Sequence, residues 1–182
     1  MSLSGNTSFL TEDKAGADGA KVIRITGPES SGKTTLARAL AAELNGVYVA
    51  EAAREYLNAR GGVYTEADLP LIWQAQSAAE DAARSSGAQY IVCDTGPEVI
   101  YVWAEVKYGR VPPQVARAVV ERRYDMTLLC KPDLPWAPDP LREAPDLAQR
   151  AALFQRYAEL LPGATIISGE DRLRQGRSSA RL

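Results

Sequence analysis

Short apolar runs alternate along this chain with longer stretches in which apolar residues recur at helical spacing. Runs rich in β-branched residues predict strands, and recurrence at helical spacing predicts helices. Strands are predicted at residues 21–26, 47–50, 89–95, 126–130 and 164–168. Helices are predicted at residues 35–44, 52–60, 65–85, 98–108, 112–122 and 146–160. Because alternating strands and helices build a parallel sheet covered on both faces, we predict a three-layer α/β fold with a central parallel sheet.

The two ends of the chain lack this pattern. Residues 1–20 are polar, small and glycine-containing, and we expect a flexible leader there. The polar residues after Gly169 are expected to fray, with a flexible tail at residues 176–182. A chain of 182 residues is long enough for one sizeable core, so residues 21–175 are predicted to form a single domain.

A glycine-rich segment lies between the first predicted strand and the first predicted helix. Residues 27–34 have a glycine, four free positions and then Gly-Lys-Thr, a spacing typical of a phosphate-binding P-loop. Its glycines allow the backbone to curl around an anion, and the following helix dipole adds to the field. We therefore predict a P-loop NTPase fold. The residues assigned to the nucleotide are Gly27, Pro28, Glu29, Ser30, Ser31, Gly32, Lys33, Thr34 and Thr35.

Acidic residues follow two of the predicted strands, at Glu51 and Asp94. Ligands of a parallel sheet bind beyond the carboxyl ends of its strands, which places these acids near the P-loop. Lys33 is expected to reach the outer phosphates, and the Thr34 hydroxyl to bind Mg²⁺. Since that ion needs an acidic partner, we predict that Asp94 holds it through water. Glu51 is a candidate to bind an acceptor hydroxyl and take its proton, or is a solvated carboxylate at a helix start.

Composition narrows the classes of function. The formal net charge of -2 does not indicate a nucleic-acid surface, and the apolar runs are too short for a membrane span. The chain has no histidine, which excludes Ser/His triads and histidine-ligated metals. Cys93 and Cys130 lie inside apolar runs and are expected to be buried thiols. Without a visible secretory signal, a cytoplasmic location is expected, and no feature indicates an oligomeric state.

Several segments together resemble the ribosylnicotinamide kinase domain of NadR-type proteins. They are the P-loop with its Gly-Pro-Glu-Ser-Ser-Gly-Lys-Thr sequence, Glu51–Tyr56, Asp94-Thr95, and Trp136–Arg142 inside a Pro-rich segment, residues 134–145. Arg150 lies at the spacing of the family's second lid arginine. The resemblance covers about residues 22–173 and implies a nucleotide-kinase-like fold with a lid segment.

The resemblance also implies an activity. The implied protein is an ATP- and Mg²⁺-dependent kinase that phosphorylates the ribose 5′-hydroxyl of a small-molecule nucleoside, making nicotinamide mononucleotide from nicotinamide riboside. These 182 residues contain no accompanying adenylyltransferase or DNA-binding helix-turn-helix, so we expect the kinase reaction alone. The implied catalytic residues are Lys33, Glu51, Asp94, Arg142 and Arg150. The implied acceptor-binding residues are Glu51, Arg54, Tyr56, Trp136 and Asp139.

Each implied role has a plainer alternative. Trp136 either stacks on the pyridine ring of the acceptor or anchors its loop on the core. Arg142 and Arg150 either neutralise the transferred phosphoryl group or are solvated surface arginines. Arg54 either meets a phosphate or ribose or pairs with a neighbouring carboxylate, and Tyr56 is more often a core residue.

Two further tryptophans and two other functions complete the predictions. Trp73 and Trp103 lie on the apolar faces of predicted helices and are expected in the core. The alternatives to a nicotinamide riboside kinase are a kinase for a different nucleoside or small alcohol, and a P-loop ATPase switch that binds a protein partner.

Overall fold

A five-stranded parallel sheet forms the centre of the computed structural model, which describes residues 19–180. The strands are β1 (Lys21–Thr26), β2 (Val47–Val49), β3 (Tyr90–Asp94), β4 (Met126–Cys130) and β5 (Thr165–Ile167). Their order across the sheet is β2-β3-β1-β4-β5, and every neighbouring pair is parallel. The predicted parallel sheet is confirmed, and β1, the strand that leads into the P-loop, lies at its middle.

Seven α-helices connect and flank these strands within the described residues. They are α1 (Lys33–Glu43), α2 (Ala52–Ala59), α3 (Leu69–Arg84), α4 (Pro97–Tyr108), α5 (Pro113–Glu121), α6 (Leu147–Leu160) and α7 (Arg172–Ala180). A short 3-10 turn, Glu66–Asp68, precedes α3, and Thr65 and Asp68 form a capping box there. None of these helices has the length and apolar character that crossing a bilayer requires.

Both faces of the sheet are buried, as the apolar strands predict. Ile23 and Ile25 of β1 point to one face and pack with Leu36 and Leu40 of α1. Val22, which precedes Ile23, points to the other face, in a cluster that also contains residues of β2, β3 and α3. A further cluster joins β4 to α4 and α6 on that second side. The fold therefore has the three predicted layers.

A buried ion pair crosses the second face. The Arg24 guanidinium lies 2.7 Å from the Glu98 carboxylate, and the two side chains are 8% and 0% exposed. Arg24 also donates two hydrogen bonds to the Thr127 hydroxyl and lies over the Tyr124 ring. Glu98 therefore fastens the start of α4 to the central strand.

The prediction for the end of the chain was wrong. Residues after Gly169 were expected to fray, yet Arg172–Ala180 form α7, whose Gly176 and Ala180 are buried. A Cβ atom on Gly176 would lie 3.4 Å from a methyl group of Leu36, at van der Waals contact, so α7 packs directly against α1 here. The predicted leader lies outside the described residues up to position 18, as do the last two residues of the predicted tail.

The two cysteines agree with their prediction. Cys93 and Cys130 are free and buried, on β3 and β4, the two strands that flank β1. Burial raises the pKa of the Cys130 thiol to about 11, so it stays protonated at neutral pH. Neither thiol is therefore activated as a nucleophile.

Candidate active site

The P-loop curls tightly between β1 and α1. Gly27 has φ 136° and Gly32 has φ 75°, backbone angles that favour glycine, and Ser30 has φ 54°. A Cβ atom on Gly27 would lie 2.5 Å from the carbonyl oxygen of Cys130, so the loop passes directly over the end of β4. The curl places the N-terminus of α1 behind the loop, where backbone N–H groups and the helix dipole favour an anion.

Two side chains stiffen this loop from inside. The Ser31 hydroxyl donates to the Pro28 carbonyl oxygen at 2.7 Å, and the Lys33 ammonium donates to the same oxygen at 2.8 Å. Lys33 therefore lies folded over the loop, with its charge at the place where a phosphate would bind.

Asp94 lies beside the P-loop strand because β3 pairs with β1, with Asp94 opposite Ile25. Its side chain is 1% exposed. One carboxylate oxygen accepts a hydrogen bond from the Tyr48 hydroxyl at 3.1 Å, and the other has no partner among the described residues. The Thr26 hydroxyl is also buried without a partner among them. Buried acceptors are costly to leave unpaired, so these oxygens fit a hydrated cation.

The donor set suits Mg²⁺ better than a metal held by protein side chains alone. Among residues 19–180 there is no cluster of three or more His, Cys, Asp or Glu side chains that could hold a metal. Mg²⁺ usually takes one or two carboxylates together with phosphate oxygens and waters. Thr34, which lines the cleft, and the unpaired oxygen of Asp94 match that pattern.

Glu51 occupies the N-cap position of α2, yet its carboxylate makes no capping hydrogen bond. The residue is half-buried and lines the same cleft as the P-loop. Burial raises the pKa of the Glu51 carboxyl above its ordinary value, while the nearby Lys33 ammonium acts in the opposite direction. A carboxylate with a raised pKa, facing a phosphate site, has the properties of a proton acceptor.

One cleft brings much of the predicted site together. P-loop residues lie on one side, and Glu51, Arg54 and Arg142 lie around them. The remaining wall is mainly apolar and aromatic: Ala53, Leu57, Val99, Trp103, Leu141 and Tyr157. The arrangement can hold a polyanion at one end and a partly apolar molecule at the other.

The Pro-rich segment is held down by the P-loop itself. The Glu29 carboxylate accepts hydrogen bonds from the backbone N–H groups of Glu143 and Ala144, each at 2.9 Å. The Ser30 hydroxyl accepts from the Ala137 N–H at 3.0 Å and donates to the Pro135 carbonyl at 3.3 Å. Two of the free positions of the P-loop motif thus serve as a latch for the predicted lid.

Trp136 of this segment lies close to Arg150 of α6, and neither residue is among those that line the cleft. The Trp136 ring lies 5.2 Å from the Arg150 guanidinium and 5.7 Å from that of Arg142. Arg150 is 4% exposed, and two of its guanidinium nitrogens have no partner among the described residues. The alternative that Arg150 is a solvated surface arginine is therefore wrong. Stacking of Trp136 on an acceptor ring stays a prediction.

The other predicted acceptor residues pair with each other or with the scaffold. Arg54 donates to the Asp139 carboxylate at 2.9 Å, an ion pair between α2 and the Pro-rich segment. The Tyr56 hydroxyl donates to Asp68 at 2.6 Å, and Tyr56 lines a neighbouring cavity shared with Glu51 and Arg54. Thus Arg54 stands at the cleft, Asp139 supports it, and Tyr56 braces α2.

Sequence reasoning missed two aromatic residues of the cleft. Trp103 was expected in the core and Tyr157 was assigned no role; both do pack in the core, but each also presents a face to the cleft. Tyr64 stacks on Trp103, with ring centroids 5.6 Å apart. An apolar helical position carries no signal that separates these two roles, so only the packing of α4 against α6 reveals them.

Comparisons with known proteins agree with this geometry. The AAA domain family, AAA_28, matches residues 22–167, more than half of the chain. The trifunctional NAD biosynthesis/regulator protein NadR of Salmonella typhimurium is 28% identical over 147 residues, which cover 78% of this chain and 35% of that protein. The chain thus spans about a third of the length of this curated relative.

Solved structures show the same fold. NadR in complex with NAD and AMP-PNP has a TM-score of 0.71 and 23% identity, covering 89% of this chain and 49% of that one. NadR in complex with NR has a TM-score of 0.70 and 22% identity, covering 89% and 51%. Thymidylate kinase from Ehrlichia chaffeensis has a TM-score of 0.62 and 16% identity, covering 90% and 98%. The chain therefore belongs to the AAA domain family, and its P-loop kinase fold and its resemblance to NadR are confirmed.

Proposed function

We propose that this protein is an ATP-dependent kinase that phosphorylates the ribose 5′-hydroxyl of a nucleoside, with nicotinamide riboside as the acceptor. The observation that supports this most is the cleft in which the P-loop meets Glu51 and an aromatic wall. The similarity to NadR, of which one structure contains NR, supports the choice of acceptor.

On the donor side, the P-loop N–H groups and Lys33 bind the phosphates of ATP. Thr34 and the unpaired oxygen of Asp94 hold the accompanying Mg²⁺, Asp94 through water. When bound, Mg²⁺ neutralises charge on the phosphate oxygens. Lys33 leaves its contact with the Pro28 carbonyl to meet the outer phosphates, which costs one hydrogen bond and gains a charge-assisted one.

On the acceptor side, Glu51 binds the ribose 5′-hydroxyl and accepts its proton as the oxygen attacks. Its carboxylate is free for this task because it does not cap α2. The raised pKa of Glu51 brings its basicity closer to neutral pH, where proton transfer is most effective. Arg54, held by Asp139, faces the ribose or the transferred phosphoryl group.

Arg142 and Arg150 supply positive charge from the lid. Arg142 lines the cleft directly, and Arg150 has guanidinium nitrogens without partners among the described residues. Phosphoryl transfer gains from cations on the equatorial oxygens, and a lid excludes the water that would otherwise take the phosphoryl group. The latch from Glu29 and Ser30 couples lid position to the P-loop.

The acceptor ring has two candidate aromatic partners. Trp103 presents its ring to the cleft, whereas Trp136 lies under Arg142 and Arg150. A cationic pyridine ring gains about 1–2 kcal/mol when it stacks on an indole, so the true partner is measurable by substitution. Trp103→Phe preserves core packing at α4, and Trp136→Ala removes the lid indole.

The decisive experiment measures ADP formation with ATP, Mg²⁺ and a panel that contains nicotinamide riboside, uridine, adenosine and glycerol. We expect nicotinamide riboside to raise ADP formation well above the water background and to yield the 5′-phosphate, identified by mass. Lys33→Ala serves as the inactive control. If uridine or a small alcohol is preferred, the acceptor assignment is wrong and the kinase assignment stands. If no acceptor raises the rate, the kinase proposal fails and a nucleotide switch becomes the better hypothesis.

The aromatic assignment is tested in the same assay. If Trp136→Ala loses nicotinamide riboside activity but keeps that with uridine, the lid indole holds the pyridine ring. If Trp103→Phe shows that selective loss instead, the cleft indole holds it. Equal activity of both variants with both nucleosides would remove ring stacking from the proposal.

A further inference from the structure

The first turn of α2 is capped by a residue from another helix. The first N–H groups of a helix have no partner within it, and the N-cap side chain usually satisfies one of them. Here the N-cap residue is Glu51, whose carboxylate makes no such bond. Instead, the Ala52 N–H donates to the side-chain amide oxygen of Gln76 at 2.8 Å.

Gln76 is a buried polar residue on the inner face of α3. It is 3% exposed, and Glu80, one turn further along that face, is 0% exposed. Polar groups at such depth are costly unless they are hydrogen-bonded, so their presence on a packed face requires a specific pairing. The Gln76 amide nitrogen lies 3.5 Å from the Glu80 carboxylate.

Glu80 is itself fixed from the opposite side. Arg122 donates to it at 2.8 Å, and the Tyr124 hydroxyl donates to it at 2.9 Å. Because both oxygens of Glu80 accept from these partners, the amide of Gln76 has one preferred orientation, with nitrogen toward Glu80 and oxygen toward α2. A continuous network of hydrogen bonds thus connects the loop after α5 to Ala52, the residue next to Glu51.

We propose that Gln76 is a positioning residue for the acceptor site: it caps α2 in place of Glu51, and so holds the Glu51 carboxylate free and aimed at the cleft. This inference rests on the proposed kinase function. Arg54 lies in the same first turn of α2, and its own N–H makes only a long hydrogen bond, 3.3 Å, to the Glu51 carbonyl oxygen. The hydrogen bond from Ala52 to Gln76 therefore also fixes the position of Arg54.

A purely structural role makes a different prediction. If Gln76 only fills the core, its replacement lowers global stability and affects ATP and acceptor kinetics alike. If it positions Glu51, the defect is local to α2 and appears with the acceptor. Gln76→Met tests this, because methionine has similar length and no strong acceptor. Gln74→Met, at an exposed position of the same helix, is the matched control.

The experiment combines hydrogen exchange of residues 49–60 with steady-state kinetics of the full chain. For Gln76→Met we expect faster exchange confined to that stretch, and a loss in kcat/KM for nicotinamide riboside of about tenfold or more, with KM for ATP changed by less than about twofold. Gln74→Met is expected to match the unsubstituted protein in both measurements.

Two results would overturn the inference. One is unchanged exchange at residues 49–60 in Gln76→Met. The other is an equal loss for ATP and acceptor together with faster exchange throughout the sheet. If the unsubstituted protein phosphorylates no acceptor, the proposed function fails separately, and hydrogen exchange alone then decides whether Gln76 holds α2.

Discussion

The Asp139 carboxylate lies 2.9 Å from a guanidinium nitrogen of Arg54, so an ion pair joins α2 to the Pro-rich segment beside the cleft. The same carboxylate accepts the Leu141 N–H at 2.9 Å. These two bonds lower the pKa of Asp139, the backbone bond most strongly, and keep it ionised. The Asp139 side chain therefore connects Arg54 of α2 to Leu141 of the Pro-rich segment, and both of these residues line the cleft.

We expect Asp139→Asn to weaken acceptor binding with little effect on folding. The pair is partly exposed, 42% at Arg54 and 22% at Asp139, and such pairs contribute less than about 1 kcal/mol to stability. Asparagine can still accept the Leu141 N–H, so the change removes charge and leaves the turn. KM for the nucleoside should rise severalfold while KM for ATP stays constant. Glu66→Gln, which breaks the distant pair with Arg110, is the control and should alter neither.

Loss of the contacts that hold the Pro-rich segment should raise the hydrolysis of ATP in the absence of an acceptor. Glu29→Ala removes both hydrogen bonds to the backbone at Glu143 and Ala144, so the Pro-rich segment opens more often. Because an open lid admits water, we expect acceptor-independent ATP hydrolysis to rise and phosphorylation of the nucleoside to fall. Both rates are measured in one assay, with hydrogen exchange of residues 134–145 as the report on opening.

The comparison variant for this latch is Glu55→Ala, an exposed carboxylate on α2. It removes the same charge without touching the Pro-rich segment. If both variants behave alike, the effect comes from net charge near the cleft, and the latch has no role in excluding water.

Most strands and helices, and the site at the end of β1, are predictable because local signals and tertiary structure agree. The largely apolar runs at β1, β3 and β4 are buried on both faces, as expected for central strands of a parallel sheet. The P-loop is equally readable, since its glycines at 27 and 32 adopt the positive φ angles that the motif requires.

Features that depend on contacts distant in sequence were not predictable. Helix α7 has a polar sequence with a central glycine, and it is helical because Gly176 and Ala180 fit against α1. Trp103 reads as core from its periodicity, yet it also borders the cleft. Gln76 looks like a surface residue of α3, and only the position of α2 shows what its amide binds.

Asp68 should make stability depend on acid pH. Its pKa is lowered to about 2, first by the hydrogen bond from the Tyr56 hydroxyl and then by those from Thr65. A lowered folded-state pKa means that its contribution is fully present above the unfolded value near 3.8 and is lost as pH falls toward about 2. In urea unfolding between pH values of about 6 and 2, Asp68→Asn is therefore expected to lose less stability than the unsubstituted protein as the pH falls.

The matched variant for that titration is Glu121→Gln, which changes an exposed carboxylate of α5 that has no ion pair among the described residues. It should leave the pH dependence close to that of the unsubstituted protein. If the free energy of unfolding of Asp68→Asn changed with pH in parallel with that of the unsubstituted protein, Asp68 would not titrate with a lowered pKa.

Among the ion pairs of residues 19–180, the Arg24–Glu98 pair should be the most sensitive to substitution, since both partners are buried. Glu98→Ala leaves the Arg24 guanidinium without its counter-charge, and we expect the free energy of unfolding to fall by about 3–5 kcal/mol. Glu66→Ala, which breaks the exposed pair with Arg110, should cost less than about 1 kcal/mol. Urea unfolding of the three proteins measures both values. Similar small losses would mean that the Thr127 hydroxyl and the Tyr124 ring hold Arg24 without Glu98.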